Sequence, residues 1–319
     1  MRVLLKGHRV CCLFILVCVF SAKTMFAQTE IDAIMMSKNI FCSGFIYNNS
    51  TWKNYWEGTH KRENLNLGTV NTQSVSLVAN YGITKKLNLL AGLPYVATKA
   101  SAGTLHGLRG LQDASLWLKY RPLKTNVGKG NISLFTIGGF SFPVSDYVAD
   151  FLPLSIGMRS KNLSLRGMLD YQYSDWFATA SYTYIVRSNI KIDRPSYYTT
   201  TMHNTNEVFM PNASQVNVRA GYRSSRFIGE AVFNKWTTLG GFDISKNNMP
   251  FPSNRMNATT AGVNFKYNLT KIESFSITGG ANYVLAGRNV GQASSLYGGV
   301  LLLLDFTSSP KHIAPATSK

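Results

Sequence analysis

The chain has 319 residues and a formal net charge of +18, yet only 15% of its residues are charged while 12% are aromatic. These proportions exclude a collagen-like, coiled-coil or disordered chain, and fall short of the roughly 25% charged residues usual in a cytosolic enzyme. After Phe20 no apolar run approaches the roughly 20 residues that a spanning helix needs, which excludes a polytopic helical membrane protein.

The first 27 residues read as a secretory signal peptide. Arg2, Lys6 and Arg9 form a basic start, Val10 to Phe20 an apolar run, and Ser21 to Ala27 a short polar tail with cleavage expected after Ala27. Losing Arg2, Lys6, Arg9 and Lys23 leaves a charge of about +14. The mature chain keeps a single cysteine, Cys42, which has no partner for an internal disulfide and reads as a small apolar strand residue. No stretch clusters Lys and Arg on one helical face, so nucleic acid is not an expected partner. Residues 28–38 carry Ile31, Ile34, Met35 and Met36 ahead of the first regular element.

From residue 39 onward the hydrophobic period is 2, the period of a strand. Val75, Leu77, Ala79 and Tyr81 alternate with Ser74, Ser76 and Asn80. Leu163, Leu165, Gly167, Leu169 and Tyr171 alternate with Ser164, Arg166, Asp170 and Gln172. Twelve strands are expected, near 39–50, 70–81, 87–97, 112–121, 131–142, 162–173, 176–188, 215–223, 226–236, 258–268, 274–285 and 294–306. At about 11 residues each they span roughly 36 Å. A tilt near 45° reduces this to about 26 Å, close to the apolar band of an outer-membrane barrel. A soluble sandwich prefers strands of about 5–6 residues.

The connections alternate in length. Short ones are expected at 82–86, 122–130, 174–175, 224–225 and 269–273, and long ones at 51–69, 98–111, 143–161, 189–214, 237–257 and 286–293. Short periplasmic turns opposite long extracellular loops are the asymmetry of a transmembrane barrel. Tyr81, Tyr120, Tyr173, Trp176, Tyr222, Phe227, Tyr267 and Phe275 all flank short turns on the outward parity, as an interfacial aromatic girdle requires. Tyr297, Gly299, Leu302, Leu304 and Phe306 fit the terminal-strand signal read by the barrel-assembly machinery. Residues 307–319 form a polar tail. The fold class is therefore an all-β transmembrane antiparallel barrel at 39–306, with outer-membrane lipid and lipopolysaccharide as its surroundings in a Gram-negative-type cell.

The inward parity carries Asp113, Lys119, Arg166, Asp170, Arg187, Arg219, Glu230 and Lys266 as candidate lumen-lining residues. A charge facing lipid at the midplane costs about 2–4 kcal/mol, so these side chains need a polar interior. Two readings follow: an interior salt-bridge network that fills a narrow barrel, or a surplus of Lys and Arg lining a path for polar or anionic solutes. Leu90, Val96, Leu301 and Leu303 form an apolar inward sector. It is suited to an apolar ligand or to packing against residues 28–38, which read as a periplasmic N-terminal segment or a small plug. Trp52, Tyr55 and Trp56 in the first long loop suit ligand contact or loop self-packing.

The mature histidines His60, His106, His203 and His312 all fall outside the expected strands, and no triad, metal-ligand or phosphate-loop spacing is present. Neither an enzyme nor a cofactor is expected.

The run Tyr81-Gly-Ile-Thr-Lys-Lys-Leu-Asn-Leu, then Gly92-Leu-Pro-Tyr95, then Gly110-Leu-Gln-Asp113-Ala-Ser-Leu-Trp-Leu-Lys-Tyr-Arg121, resembles the outer-membrane barrels labelled "MetA-pathway of phenol degradation". Gln112 stands where members of that family often carry glycine. The resemblance implies uptake of aromatic or hydrophobic compounds. The expected function is passive, selective passage of small molecules. The alternative is a non-conducting structural or adhesion barrel acting through its long loops.

Overall fold

The computed structural model describes residues 29–245, 249–269 and 274–307. The expected signal peptide and the expected polar tail beyond Thr307 lie outside the described residues. Twelve long strands form: β1 (Ile40–Trp52), β2 (Val70–Gly82), β3 (Leu87–Ala100), β4 (Asp113–Val127), β5 (Gly130–Pro143), β6 (Asn162–Tyr173), β7 (Trp176–Arg187), β8 (Ala213–Arg223), β9 (Phe227–Thr238), β10 (Asn257–Asn268), β11 (Phe275–Arg288) and β12 (Ser294–Asp305). Each pairs antiparallel with its sequence neighbours, and β12 returns to β1 with Asp305 opposite Ile40 and Ser294 opposite Thr51. Closure removes both sheet edges, the condition for strands to cross a medium that offers backbone groups no water.

The alternation read in the sequence is the alternation between lipid and lumen. On β6 the large apolar residues Leu163, Leu165 and Leu169 are 50–61% exposed, whereas Ser164, Arg166 and Asp170 are buried. Apolar outside and charged inside is the inverse of a water-soluble barrel and matches a bilayer exterior. At the short-turn ends, Tyr81, Tyr120, Tyr173, Trp176, Phe227, Tyr267 and Phe275 are exposed. Tyr222 completes the girdle, edge-on to Trp176 at 5.6 Å, with its hydroxyl donating to Asp175 at 2.8 Å.

One expected connection is strand instead. Residues 122–130 were expected as a turn, but β4 continues to Val127 and β5 begins at Gly130. The cause is a bulge: pairing jumps from Tyr120–Thr136 to Leu123–Leu134, so Arg121 and Pro122 together oppose Phe135. The extra residue shifts the side-chain parity of everything after it, which breaks the visible alternation without ending the strand.

The long loops are not irregular throughout. Asn54–Glu57 pairs with His60–Glu63, Ile190–Lys191 with Glu207–Val208, and Tyr197–Tyr198 with Met202–His203. His60 and His203 therefore sit in short ladders, where the sequence placed no histidine in a strand. His203 stacks on Tyr197 at 4.8 Å. Trp52 and Tyr55 pack at 6.2 Å and Trp56 is buried, so these aromatics serve loop packing.

The chain enters β1 through a tight corner. Asn39 has φ of 63°, and its N–H donates to the Gly82 carbonyl at 2.8 Å. A Cβ on Gly82 would lie 1.9 Å from the Ser37 carbonyl oxygen, so only glycine permits this approach. The residues before the corner run into the barrel.

Candidate functional site

The interior is organised around residues 29–36. Asp32 ties a local turn by accepting from Thr29 and from the Ile34 N–H at 3.0 Å. Two cations of the barrel wall grip that turn. Lys119 Nζ on β4 donates to the carbonyl of Thr29 at 2.5 Å, to the carbonyl of Asp32 at 3.0 Å and to its carboxylate at 3.1 Å. Lys119 is fully buried. Arg166 on β6 donates to the Glu30 carbonyl at 2.8 Å, to Thr183 Oγ1 at 2.6 Å and to Gln215 Oε1 at 3.2 Å. Its guanidinium lies 5.8 Å from the Trp117 ring centre.

Apolar contacts anchor the same segment. Ala33 and Met35 pack with Trp117, Phe135, Ile137 and Met168. Met36 packs with Ile40, Cys42, Leu301 and Leu303. Removing this much apolar area from water contributes several times the roughly 1.5–3 kcal/mol of one buried large side chain.

Beside the segment lies a cavity of about 660 Å³, within the range that holds small ligands. Most of its polar lining comes from β8–β10, which contribute Gln215, Asn217, Arg219, Glu230, Asn234 and Asn264 beside the apolar Ile228 and Val232. The apolar part of the lining is Ile34, Ile46, Val78, Leu90, Trp117 and Leu301, with Ser76, Asp113 and Ser115 among them. The polar lining from β8–β10 is internally paired. Arg219 Nη1 bonds Glu230 Oε1 at 2.5 Å and its Nε donates to Asn217 Oδ1 at 2.9 Å. Asn264 Nδ2 donates to the same Glu230 oxygen at 2.8 Å, and Gln215 Nε2 donates to Asn234 Oδ1 at 2.7 Å.

At the extracellular end, loop 144–161 lies against the inner face of β2 and β3. Thr98 Oγ1 donates to the Leu154 carbonyl at 2.6 Å, and Leu154, with no exposed surface, packs on Leu67 and Val70. Ile156 and Tyr147 cover Val96. The Tyr147 hydroxyl donates to Asp113 Oδ1 and accepts from the Arg159 N–H at 2.9 Å. Burial and the bond to the Asp113 carboxylate push the Tyr147 phenol up from its ordinary pKa.

The sequence candidates thus separate. Asp113, Arg219, Glu230, Lys266, Leu90 and Leu301 line the cavity. Lys119 and Arg166 lie beneath the N-terminal segment, holding it. Asp170 is enclosed by Arg223 at 3.3 Å and by Thr179 at 2.6 Å. Arg187 is half-buried at the loop end of β7, donating to the Pro211 carbonyl at 3.3 Å. Val96 lies under loop 144–161 and Leu303 under Met36. Trp117 and Tyr147 were not singled out in the sequence. Trp117 shares the inward parity of Asp113, Ser115 and Lys119, a usable signal, whereas Tyr147 lies in a loop with no period to read.

No protein-family model and no curated protein matches the chain. Among solved structures, the COG4313 outer membrane channel from Pseudomonas putida F1 aligns with a TM-score of 0.69 at 13% identity, over 87% of this chain and 100% of that one. The NanC porin aligns at 0.44 and 10% identity, over 82% and 98% of the two chains. The CymD monoaromatic hydrocarbon channel aligns at 0.41 and 10% identity, over 85% and 89%. At such identities the first of these establishes fold, and it agrees with the apolar exterior and aromatic girdle: the chain is an outer-membrane β-barrel with the fold of the COG4313 channel.

Proposed function

We propose that this barrel gives passive passage to small molecules, favouring uncharged solutes with an apolar or aromatic body. The observation that carries the reading is the cavity of about 660 Å³ inside the barrel, lined by both polar and apolar side chains. Its apolar lining suits a hydrocarbon or ring. Its polar lining offers amides to a hydroxyl or carbonyl, and its Arg219–Glu230 pair is internally neutralised. The other bases of the lining, Arg223 and Lys266, are matched by the acids Glu30, Asp32 and Asp113, so the surface does not select for an anion although the chain as a whole is strongly basic. The likeness of residues 81–121 to barrels associated with phenol degradation points the same way. In this reading residues 29–36 close the passage from one end and loop 144–161 narrows it at the other. No catalytic step is part of the proposal.

The test is single-channel conductance of refolded residues 28–319 in planar bilayers, beside the same chain without residues 28–38, together with uptake of phenol and of a charged benzoate into vesicles, each counted as the excess over protein-free vesicles of the same lipid. The expected result is low conductance with the segment, steady conductance without it, and faster entry of phenol than of benzoate. No conductance and no uptake in either form, with the barrel folded, overturns the reading and favours a filled barrel acting through its loops.

A further inference from the structure

The periplasmic rim of β2–β5 carries a charge pattern that the lumen does not use. Lys85 and Lys86 occupy the β2–β3 turn, and Arg121, Lys124 and Lys129 lie on the β4–β5 hairpin. Between Glu63 and Asp146 the sequence holds one acid, Asp113, and it sits at the opposite end of β4. The two turns adjoin: the Arg121 N–H donates to the Lys86 carbonyl at 2.9 Å, and Arg121 Nη2 donates to the Lys85 carbonyl at 3.3 Å. The four lysines are exposed, and none of the ion pairs found among the described residues involves any of these five bases.

Apolar side chains are interleaved with the bases. Ile83, Leu123 and Val127 are all exposed. The bulge at Arg121 and Pro122 sets the direction of the last two. It puts Leu123 opposite Leu134 and Val127 opposite Gly130, on the parity that faces lipid farther up the strand. Their depth follows from register. Thr125 pairs with Ile132, which pairs with Tyr171 of β6, so along this ladder the hairpin tip reaches Tyr173 of the neighbouring girdle, while on the β3 side it extends past Tyr120. Apolar side chains at girdle depth beside a cluster of unpaired bases fit a lipid–water interface.

We propose that this rim binds the anionic headgroups of phospholipids in the periplasmic leaflet. Lys85, Lys86, Arg121, Lys124 and Lys129 supply the charge, and Ile83, Leu123 and Val127 enter the acyl region. A soluble acidic partner would leave the lipid-facing direction of Leu123 and Val127 unexplained, so lipid is the favoured occupant. The assignment does not depend on what passes through the lumen.

The test uses the folded mature chain in phosphatidylcholine vesicles that contain phosphatidylglycerol as the minor lipid. The protein is extracted gently and its retained lipid is measured by mass spectrometry. Enrichment of phosphatidylglycerol by about fivefold or more over the vesicle is expected, the effect of about one base at a lipid surface. It should fall severalfold in Lys85→Gln/Lys86→Gln/Lys124→Gln/Lys129→Gln, which leaves Arg121 alone of the five bases. It should persist in Lys99→Gln/Lys161→Gln/Lys191→Gln, which removes bases from the extracellular side. A photoactivatable phosphatidylglycerol added to the unaltered chain localises the contact without any variant, with crosslinks expected on residues 83–86 and 121–131. No enrichment, equal loss in both variants, or crosslinks spread around the barrel would each overturn the assignment.

Discussion

Lys119 and Asp32, 87 positions apart in the chain, meet inside the barrel with Nζ 3.1 Å from Oδ1. The pair has no route to bulk water on the lysine side, since Lys119 is fully buried. Removing one member of a buried pair leaves the other uncompensated, a loss of about 3–5 kcal/mol. The N-terminal segment has a simple way to relieve it, by leaving the barrel and carrying Asp32 to water. Lys119→Met is therefore expected to free residues 29–36 while the strands stay paired. Protease cleavage near Asp32 should speed up, and conductance should rise toward that of the chain lacking residues 28–38. Unchanged cleavage and conductance would show that Met35 and Met36 hold the segment without the ionic grip.

Arg166, Arg187 and Arg219 share an inward parity but not a role. Of the three, only Arg219 lines the cavity. Arg219→Gln leaves Glu230 charged and half-abandoned, so the cavity should become cation-preferring, read as a shift in reversal potential across a salt gradient. Arg187→Gln should leave the reversal potential where it was. The cost to stability should be about 3–5 kcal/mol for the single Arg219 change, whereas replacing both Arg219 and Glu230 with Met should be close to neutral in urea unfolding. A selectivity shift in Arg187→Gln as large as that in Arg219→Gln would displace the path from the cavity.

How much of this was legible in the sequence follows from where each constraint acts. Leu163, Leu165 and Leu169 alternate with Ser164, Arg166 and Asp170 because a strand has only two faces, so the barrel could be read residue by residue. The β4–β5 hairpin could not, because the bulge at Arg121 and Pro122 shifts the parity and mimics a turn. Inward direction was readable for Lys119 and Arg166, but their partners were not. Their acceptors are Asp32 and the carbonyls of Thr29, Glu30, Asp32 and Ile34, and carbonyls carry no sequence signature. The seating of loop 144–161 on the barrel wall rests on Thr98 meeting Leu154 and Asp113 meeting Tyr147, contacts that only the folded loop creates.

The extracellular loops hold a second linkage that pH should expose. Asp243 bonds Arg288 Nε at 2.7 Å and Nη2 at 2.6 Å, and accepts from Asn289 Nδ2 at 2.7 Å. The Arg288 hydrogen bonds, ahead of opposing burial and the Asn289 bond, hold the Asp243 carboxyl down at about 2. A depressed folded pKa contributes stability above the unfolded value, about 3.9, and loses it as pH falls toward the folded value. The pair is partly exposed, so the effect is local and screened by salt. Amide hydrogen exchange in 239–245 and 289–293, corrected for intrinsic rates, should stay slow down to about pH 4 and quicken below it. Asp243→Asn should exchange faster at neutral pH and lose that acid dependence. Acid-induced opening of equal size in the variant would assign the effect to other groups.

Tyr147 makes the corresponding contact at the mouth of the barrel. Its hydroxyl ties the loop to the barrel wall and to itself: it donates to Asp113 on β4, and it accepts from the Arg159 N–H within its own loop. Ile156 and Val96 pack against the ring. Tyr147→Phe keeps that packing and removes the hydroxyl alone. It leaves the Asp113 carboxylate and the Arg159 N–H short of a partner, a loss of about 1–3 kcal/mol where they stay out of water. That penalty is avoided if the loop swings outward and lets both groups be hydrated. The packing of Leu154 on Val70 and its bond from Thr98 oppose the swing, so loop opening should become more frequent without becoming permanent. The expected record is more frequent brief conductance increases in the chain lacking residues 28–38, with the closed level unchanged. Asp113→Asn tests the same contact from the other side. It keeps an acceptor for the hydroxyl but removes the charge, so it should fall between Tyr147→Phe and the unaltered chain. Opening frequencies that rank in any other order would mean that the loop is held by its apolar contacts and that the Tyr147 hydroxyl is incidental to closure.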